Sequence, residues 1–168
     1  MTSTMEELIA HLNLAPHPEG GWYRETYRSA DLLSHKGLPD RFPGQRRAGT
    51  GIYFLITSEN FSALHRIKSD EGWHFYAGTG MQIYDISPQG ELTVHKLGPD
   101  LAAGEVFQSW VPAGHWFGSR VEVQNAWALV GCTVAPGFDF EDFELAEKET
   151  LVRMFPQHER LITELTRR

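Results

Sequence analysis

The sequence predicts a mainly β chain, a barrel or sandwich with short helices at its two ends, folded as one domain over residues 1–168. Three observations carry this. Short runs rich in aromatic and β-branched residues recur through the middle of the chain, turn signals separate them, and helical periodicity is confined to the ends. An apolar content of 41% over 168 residues is enough for a single sizeable core.

Taken in order, Thr4 precedes Glu7 by three residues and leads into Leu8, Ile9 and Leu12, a capping-box pattern that opens a short amphipathic helix. Pro16 and Pro18 end it. The run Trp22–Arg28 alternates aromatic and charged residues at period two and reads as a strand. Asp31–Thr50 has no sustained period and reads as a long loop, with Arg41, Arg46 and Arg47 solvated and without functional weight. Further strands are expected at Gly51–Thr57, Phe61–Ile67, Trp73–Ala77, Met81–Ile86, Glu91–Lys96, Phe107–Val111 and Asn125–Val134. Ser87-Pro88-Gln89-Gly90, Gly98-Pro99-Asp100 and Pro112-Ala113-Gly114 supply turns between them. The alternation FDFEDFELA, Phe138–Ala146, reads as a strand. Two helical pieces follow, Glu147–Phe155 and Gln157–Arg167, broken at Pro156.

Composition excludes several function classes. A net charge of −7 and a pI near 5.6 offer no basic face for a phosphate backbone, which argues against nucleic-acid binding. No apolar stretch approaches the ~20 residues of a membrane span, and no signal-like segment opens the chain, so a cytoplasmic protein without a membrane partner is expected. The single cysteine, Cys132, has no internal disulfide partner and reads as a buried hydrophobe.

The segment Ser62 to Gly78, SALHRIKSDEGWHFYAG, resembles a first cupin motif in which His65, Glu71 and Gly78 are kept and Ala63 replaces a histidine. Gly104 to Phe117, GEVFQSWVPAGHWF, resembles the second motif, with Phe117 at the usual histidine. Together with HPEGGWYRETYRS (His17–Ser29), LVGCTVAPGFDFEDFELA (Leu129–Ala146) and the terminal LITELTR, these make the chain similar to the Cupin_5 family of RmlC-like cupins. The resemblance implies a double-stranded β-helix, the cupin jelly-roll barrel, commonly a homodimer, with a small-molecule pocket in the barrel mouth.

Alternation puts Ala63, His65 and Ile67 on one strand face, so an inward His65 is the candidate general base, with an imidazole pKa of about 6.5. Tyr76 or Tyr84 would return the proton. His17, Glu19, Tyr23, Arg24, Lys68, Trp73, Gln108 and Trp116 are the candidate ligand contacts, Arg24 or Lys68 holding an anion and the aromatic rings walling the pocket. Glu71 and His74, three apart in a strand, face opposite ways unless Gly72 marks a bulge. With that bulge, His65, Glu71 and His74 converge on a weakly held divalent metal; no tightly bound cofactor is expected, since Ala63 and Phe117 cannot coordinate. The first functional reading is an isomerase or epimerase of a sugar phosphate or nucleotide sugar. A non-catalytic ligand-binding or sensing cupin is the second, and a metal-dependent cupin enzyme the third.

Overall fold

The computed structural model describes residues 4–167. The Thr4 hydroxyl accepts from the Glu7 N–H and the Glu7 carboxylate accepts from the Thr4 N–H, which closes the expected capping box of α1 (Met5–His11). The strands follow as β1 (Ala15–Pro16), β2 (Trp22–Arg28), β3 (Leu32–Leu33), β4 (Arg46–Arg47), β5 (Thr50–Thr57), β6 (Phe61–Arg66) and β7 (Asp70–Gly78). After them come β8 (Met81–Ile86), β9 (Leu92–Leu97), β10 (Gln108–Val111), β11 (Trp116–Arg120), β12 (Trp127–Ala135) and β13 (Glu144–Leu145). The helices α2 (Lys148–Met154) and α3 (Glu159–Glu164) close the chain, separated at Pro156 as its ring requires.

A six-stranded sheet in the order β1-β2-β5-β12-β7-β10 faces a five-stranded sheet in the order β13-β6-β11-β8-β9, and β3 with β4 forms a small ribbon. The neighbouring strands pair antiparallel, as in the jelly-roll barrel of the cupins. Phe54, Ile56, Trp73, Ile83, Phe117 and Val130 form the core between the sheets. On the far side of the five-stranded sheet, Leu64 and Ile86 pack under Leu151, Ile162 and Leu165 of the C-terminal helices. At the other face of the molecule, Leu8 and Ile9 of α1 lie on Leu55 and Leu129.

Three sequence expectations need correction, and the bulge on which a metal site at Glu71 and His74 depended is absent. Strand β11 has no place among the predicted strands because it is buried on both faces, by the barrel core on one side and the helical cluster on the other, so its sequence does not alternate. The Asp31–Thr50 segment is mostly exposed, as expected of a loop, but Arg46 within it is not solvated: it is 4% exposed, and its guanidinium donates to both carboxylate oxygens of Asp142 at 2.8 and 2.7 Å. FDFEDFELA is not a continuous strand. The Asp139 side chain accepts from the Glu141 N–H and caps a helical turn at Phe140–Asp142, leaving only Glu144–Leu145 in the sheet. Gly72 marks no bulge; the register of β7 against β12 slips instead where Leu129 faces Ala77 and Val130 faces Phe75. Gly72 serves close packing, since a Cβ there would sit 2.7 Å from the Trp110 ring.

Candidate functional site

A cavity of about 240 Å3 opens between the sheets, bounded by β2, β5, β7 and β12, by the end of β6, and by the Phe138–Phe143 segment. Period two selects who enters it. From β2 come Tyr23 and Glu25, from β5 Thr50, Ile52 and Phe54, from β7 Glu71 and Trp73, and from β12 Cys132 and Val134. His65 and Ile67 enter from the β6 end, and His17 and Glu19 from the turn before β2. Arg28, Glu25 and Phe140 retain solvent contact and mark the mouth, while His65, Glu19, Glu71 and Trp73 are all buried and form the floor.

At the floor, the short 2.8 Å approach of His65 Nδ1 to the Ala63 carbonyl assigns the proton to Nδ1, leaving the Nε2 lone pair toward Glu19 Oε2 at 3.3 Å. The backbone N–H of Glu19 donates to His17 Nδ1 at 3.2 Å, and Glu19 Oε1 lies 3.4 Å from the same nitrogen. His65 is clamped between rings, its centroid 4.2 Å from that of Phe117 and 5.3 Å from that of Phe143. Glu19 Oε2, Glu71 Oε2 and Trp73 Nε1 are buried without a hydrogen-bond partner. Three such orphans around one cavity mark it as a place for a polar ligand group.

Burial sets the protonation. It raises the Glu19 carboxyl well above the usual range, reinforced by the Glu71 charge and opposed by the Ser62 hydroxyl. Burial pushes Glu71 up to about 8; the Trp73 indole N–H leans toward that carboxyl and offsets part of the rise without reaching hydrogen-bond geometry. Both imidazoles are lowered by burial to about 4. At neutral pH the floor therefore holds two neutral imidazoles and a predominantly protonated Glu71, with Glu19 shifted in the same direction. Burial also raises the Cys132 thiol, which is consequently a poor nucleophile here.

Of the residues singled out in the sequence, His17, Glu19, Tyr23, His65, Glu71 and Trp73 meet at this cavity. The others do not. Tyr76 lies half-exposed on the outer face beside Tyr53, and Tyr84 hydrogen-bonds Gln82 and Glu122 on the helical side of its sheet. Trp116 packs in that same outer cluster under Arg66. Arg24 donates to the Leu12 carbonyl, and Lys68 lies in a separate groove with Arg41. His74 faces outward, its Nδ1 accepting from the Gln108 amide at 3.1 Å and its Nε2 2.9 Å from the Thr133 hydroxyl. Each falls on the wrong side of a period-two strand or beyond its end. Sequence reasoning missed Glu25, Arg28, Phe138, Phe140 and Phe143. The alternation of Glu25 with Tyr23, and of the three phenylalanines with acids, was the available signal.

A cupin barrel implies a metal, and the residues present do not fit one. Unbroken alternation keeps His74 away from His65 and Glu71, and the Phe117 ring packs on His65 in place of a fourth ligand. Among the described residues no group of three or more His, Cys, Asp or Glu is arranged to hold a metal ion. No helix among them is long and apolar enough to cross a membrane.

The model of the Cupin_5 family, described as Cupin superfamily (DUF985), matches residues 6–146. The chain belongs to that family. It is 30% identical over 157 residues to the uncharacterized protein YML079W of Saccharomyces cerevisiae, a match covering 88% of this chain and 77% of the yeast protein. The crystal structure of protein SO0799 from Shewanella oneidensis superposes with a TM-score of 0.89 at 43% identity, covering 99% of both chains. A hypothetical protein from Leishmania major gives the same TM-score at 38% identity, covering 99% of this chain and all of that one (100%). Oxalate decarboxylase from Bacillus subtilis shares the fold alone, with a TM-score of 0.54, 14% identity, and coverage of 89% of this chain and 36% of that one.

Proposed function

We propose that this Cupin_5 chain is a proton-transfer isomerase or epimerase acting on a carbonyl compound of monosaccharide size. The observation that carries the reading is the pair of buried carboxyls, Glu19 and Glu71, each with an unpartnered Oε2, in one cavity beside the neutral His65. Two acids whose surroundings push their pKa values to different heights divide acid and base work between them. Glu71, pushed up to about 8 by burial, is poised as a base near neutral pH; its charge, once formed, raises the neighbouring Glu19, which keeps its proton as the acid.

In this reading ionised Glu71 takes the proton from the carbon next to the carbonyl, and the C–H electron pair becomes the C=C bond of an enediol. The carbonyl oxygen takes the Glu19 proton in the same step. Return of the proton from Glu71 to the neighbouring carbon gives the isomer; delivery of a proton from solvent water to the other face of the same carbon, the proton on Glu71 passing to the hydroxide left behind, gives the epimer. In both, Glu19 recovers its proton from an enediol hydroxyl. His65, a base by sequence analogy, stands behind Glu19 with its Nε2 3.3 Å from Oε2 and holds the acid in place. The cavity size favours a free monosaccharide over a nucleotide sugar, whose bulk exceeds about 240 Å3.

The test is deuterium wash-in. A panel of aldoses and ketoses incubated with the protein in D2O should lose the proton signal α to the carbonyl, and Glu71→Gln and Glu19→Gln should stop the exchange while remaining folded. Saturable binding with no exchange for any compound would overturn catalysis. The same orphaned oxygens would then serve a ligand-binding or sensing cupin.

A further inference from the structure

We infer that the cavity selects an uncharged α-hydroxycarbonyl compound of about ten heavy atoms, a free ketose or aldose rather than its phosphate ester. The inference deepens the proton-transfer reading and rests on it for the reacting group. Three features of the lining lead there. First, Arg28 is the one Lys or Arg among the described lining residues, and it is already engaged. Its Nε and Nη2 donate to the two oxygens of Glu25 at 2.7 and 2.8 Å, and Nη2 also reaches the Phe138 carbonyl at 3.2 Å. The fork that would grip a phosphate or carboxylate is closed by an internal carboxylate, and the pair adds no net charge to the mouth.

Second, the floor offers a matched set of unused groups. Two carboxyl oxygens, Glu19 Oε2 and Glu71 Oε2, and one N–H donor, Trp73 Nε1, are buried and unpartnered. A carbonyl oxygen answers the indole N–H, and an adjacent hydroxyl answers a carboxyl oxygen. An anion at this end would face two carboxyl groups without a cation to neutralise it, a burial cost that a neutral ligand avoids. Third, size and wall chemistry set the rest of the molecule. A cavity of about 150 Å3 takes the six carbons of benzene, so about 240 Å3 takes a molecule of pentose or hexose size. Its less polar face would lie against Phe54, Ile52, Val134 and the rings of Phe138 and Phe143.

The experiment is a titration, followed by saturation-transfer NMR and calorimetry, with matched probes: D-ribulose, D-ribose and D-fructose, their terminal phosphate esters, and myo-inositol as an uncharged polyol without a carbonyl. The expected result is saturable binding of at least one free sugar, about tenfold tighter than its phosphate, with inositol weaker still. In Glu25→Gln, which frees the Arg28 fork at a partly exposed position, the phosphate should gain affinity and close most of that gap. Equal or tighter binding of the phosphates to the wild-type protein overturns the inference, as does an unchanged gap in Glu25→Gln. Inositol binding as well as the ketoses, or no saturable binding by any free sugar, overturns it too. The two readings fail separately. Binding of free ketose without deuterium exchange sinks the catalytic reading and leaves the ligand class standing, whereas exchange seen only with phosphate esters does the reverse.

Discussion

Glu71→Gln should make the protein more stable at alkaline pH, because glutamine has the shape of the protonated acid and cannot ionise. The native Glu71 carboxyl is raised from 4.5 to about 8 by burial. Below pH 4.5 it is protonated in both the folded and the unfolded chain, and its contribution is fully present. Between 4.5 and about 8 the unfolded chain loses this proton while the native state keeps it, so stability falls as pH rises, by about 1.4 kcal/mol per pH unit. Across that window the loss is on the order of 5 kcal/mol. Glu19 acts in the same direction. His17 and His65 act oppositely: lowered from 6.5 to about 4, they cost stability as pH falls through that interval. The four groups together place maximal stability at mildly acidic pH. Urea unfolding of wild type and Glu71→Gln at matched ionic strength, from pH 5 to pH 8.5, reads the effect. The two should nearly coincide at the acid end, and the variant should lead by at least about 2 kcal/mol at the alkaline end. Parallel profiles, with a constant difference at every pH, would refute a raised Glu71 and with it the acid–base division at the cavity floor.

Asp142→Ala leaves Arg46 buried without its bidentate partner and should cost roughly 3 kcal/mol or more in chemical denaturation; a change under about 0.5 kcal/mol would contradict the burial of this pair. His65→Ala removes a ring packed between Phe117 and Phe143 and orphans the Ala63 carbonyl, an expected loss of roughly 2–4 kcal/mol measured the same way. Chelator treatment should leave the melting temperature nearly unchanged, since a structural metal would lower it sharply on removal. A homodimer is expected in solution: the two-residue β1 covers only Trp22 and Tyr23 of β2, leaving the edge from Arg24 to Arg28 open to a partner strand. Light scattering at the mass of one 19.0 kDa chain would rule it out.

The sequence by itself determined the class of fold, the capped first helix, the break at Pro156 and most strand positions, because each depends on residues within a few positions of one another. It also carried the two half-kept motifs that singled out His65 and Glu71 as pocket residues. Tertiary structure decided which strand faces look inward. Alternation sorted Glu71 from His74, yet only the pairing of β7 with β12 placed the bulge beyond Phe75 and sent His74 outward to Gln108 and Thr133. It likewise decided the chemistry of the floor, where Glu19, His65 and Glu71 come from three separate segments and owe their protonation to shared burial. Arg46 shows the same limit from the other side: its local sequence reads as an exposed loop, and its buried partner Asp142 stands 96 residues away. Local pattern encodes the period of a strand, whereas burial and charge pairing depend on contacts that form only when distant segments meet.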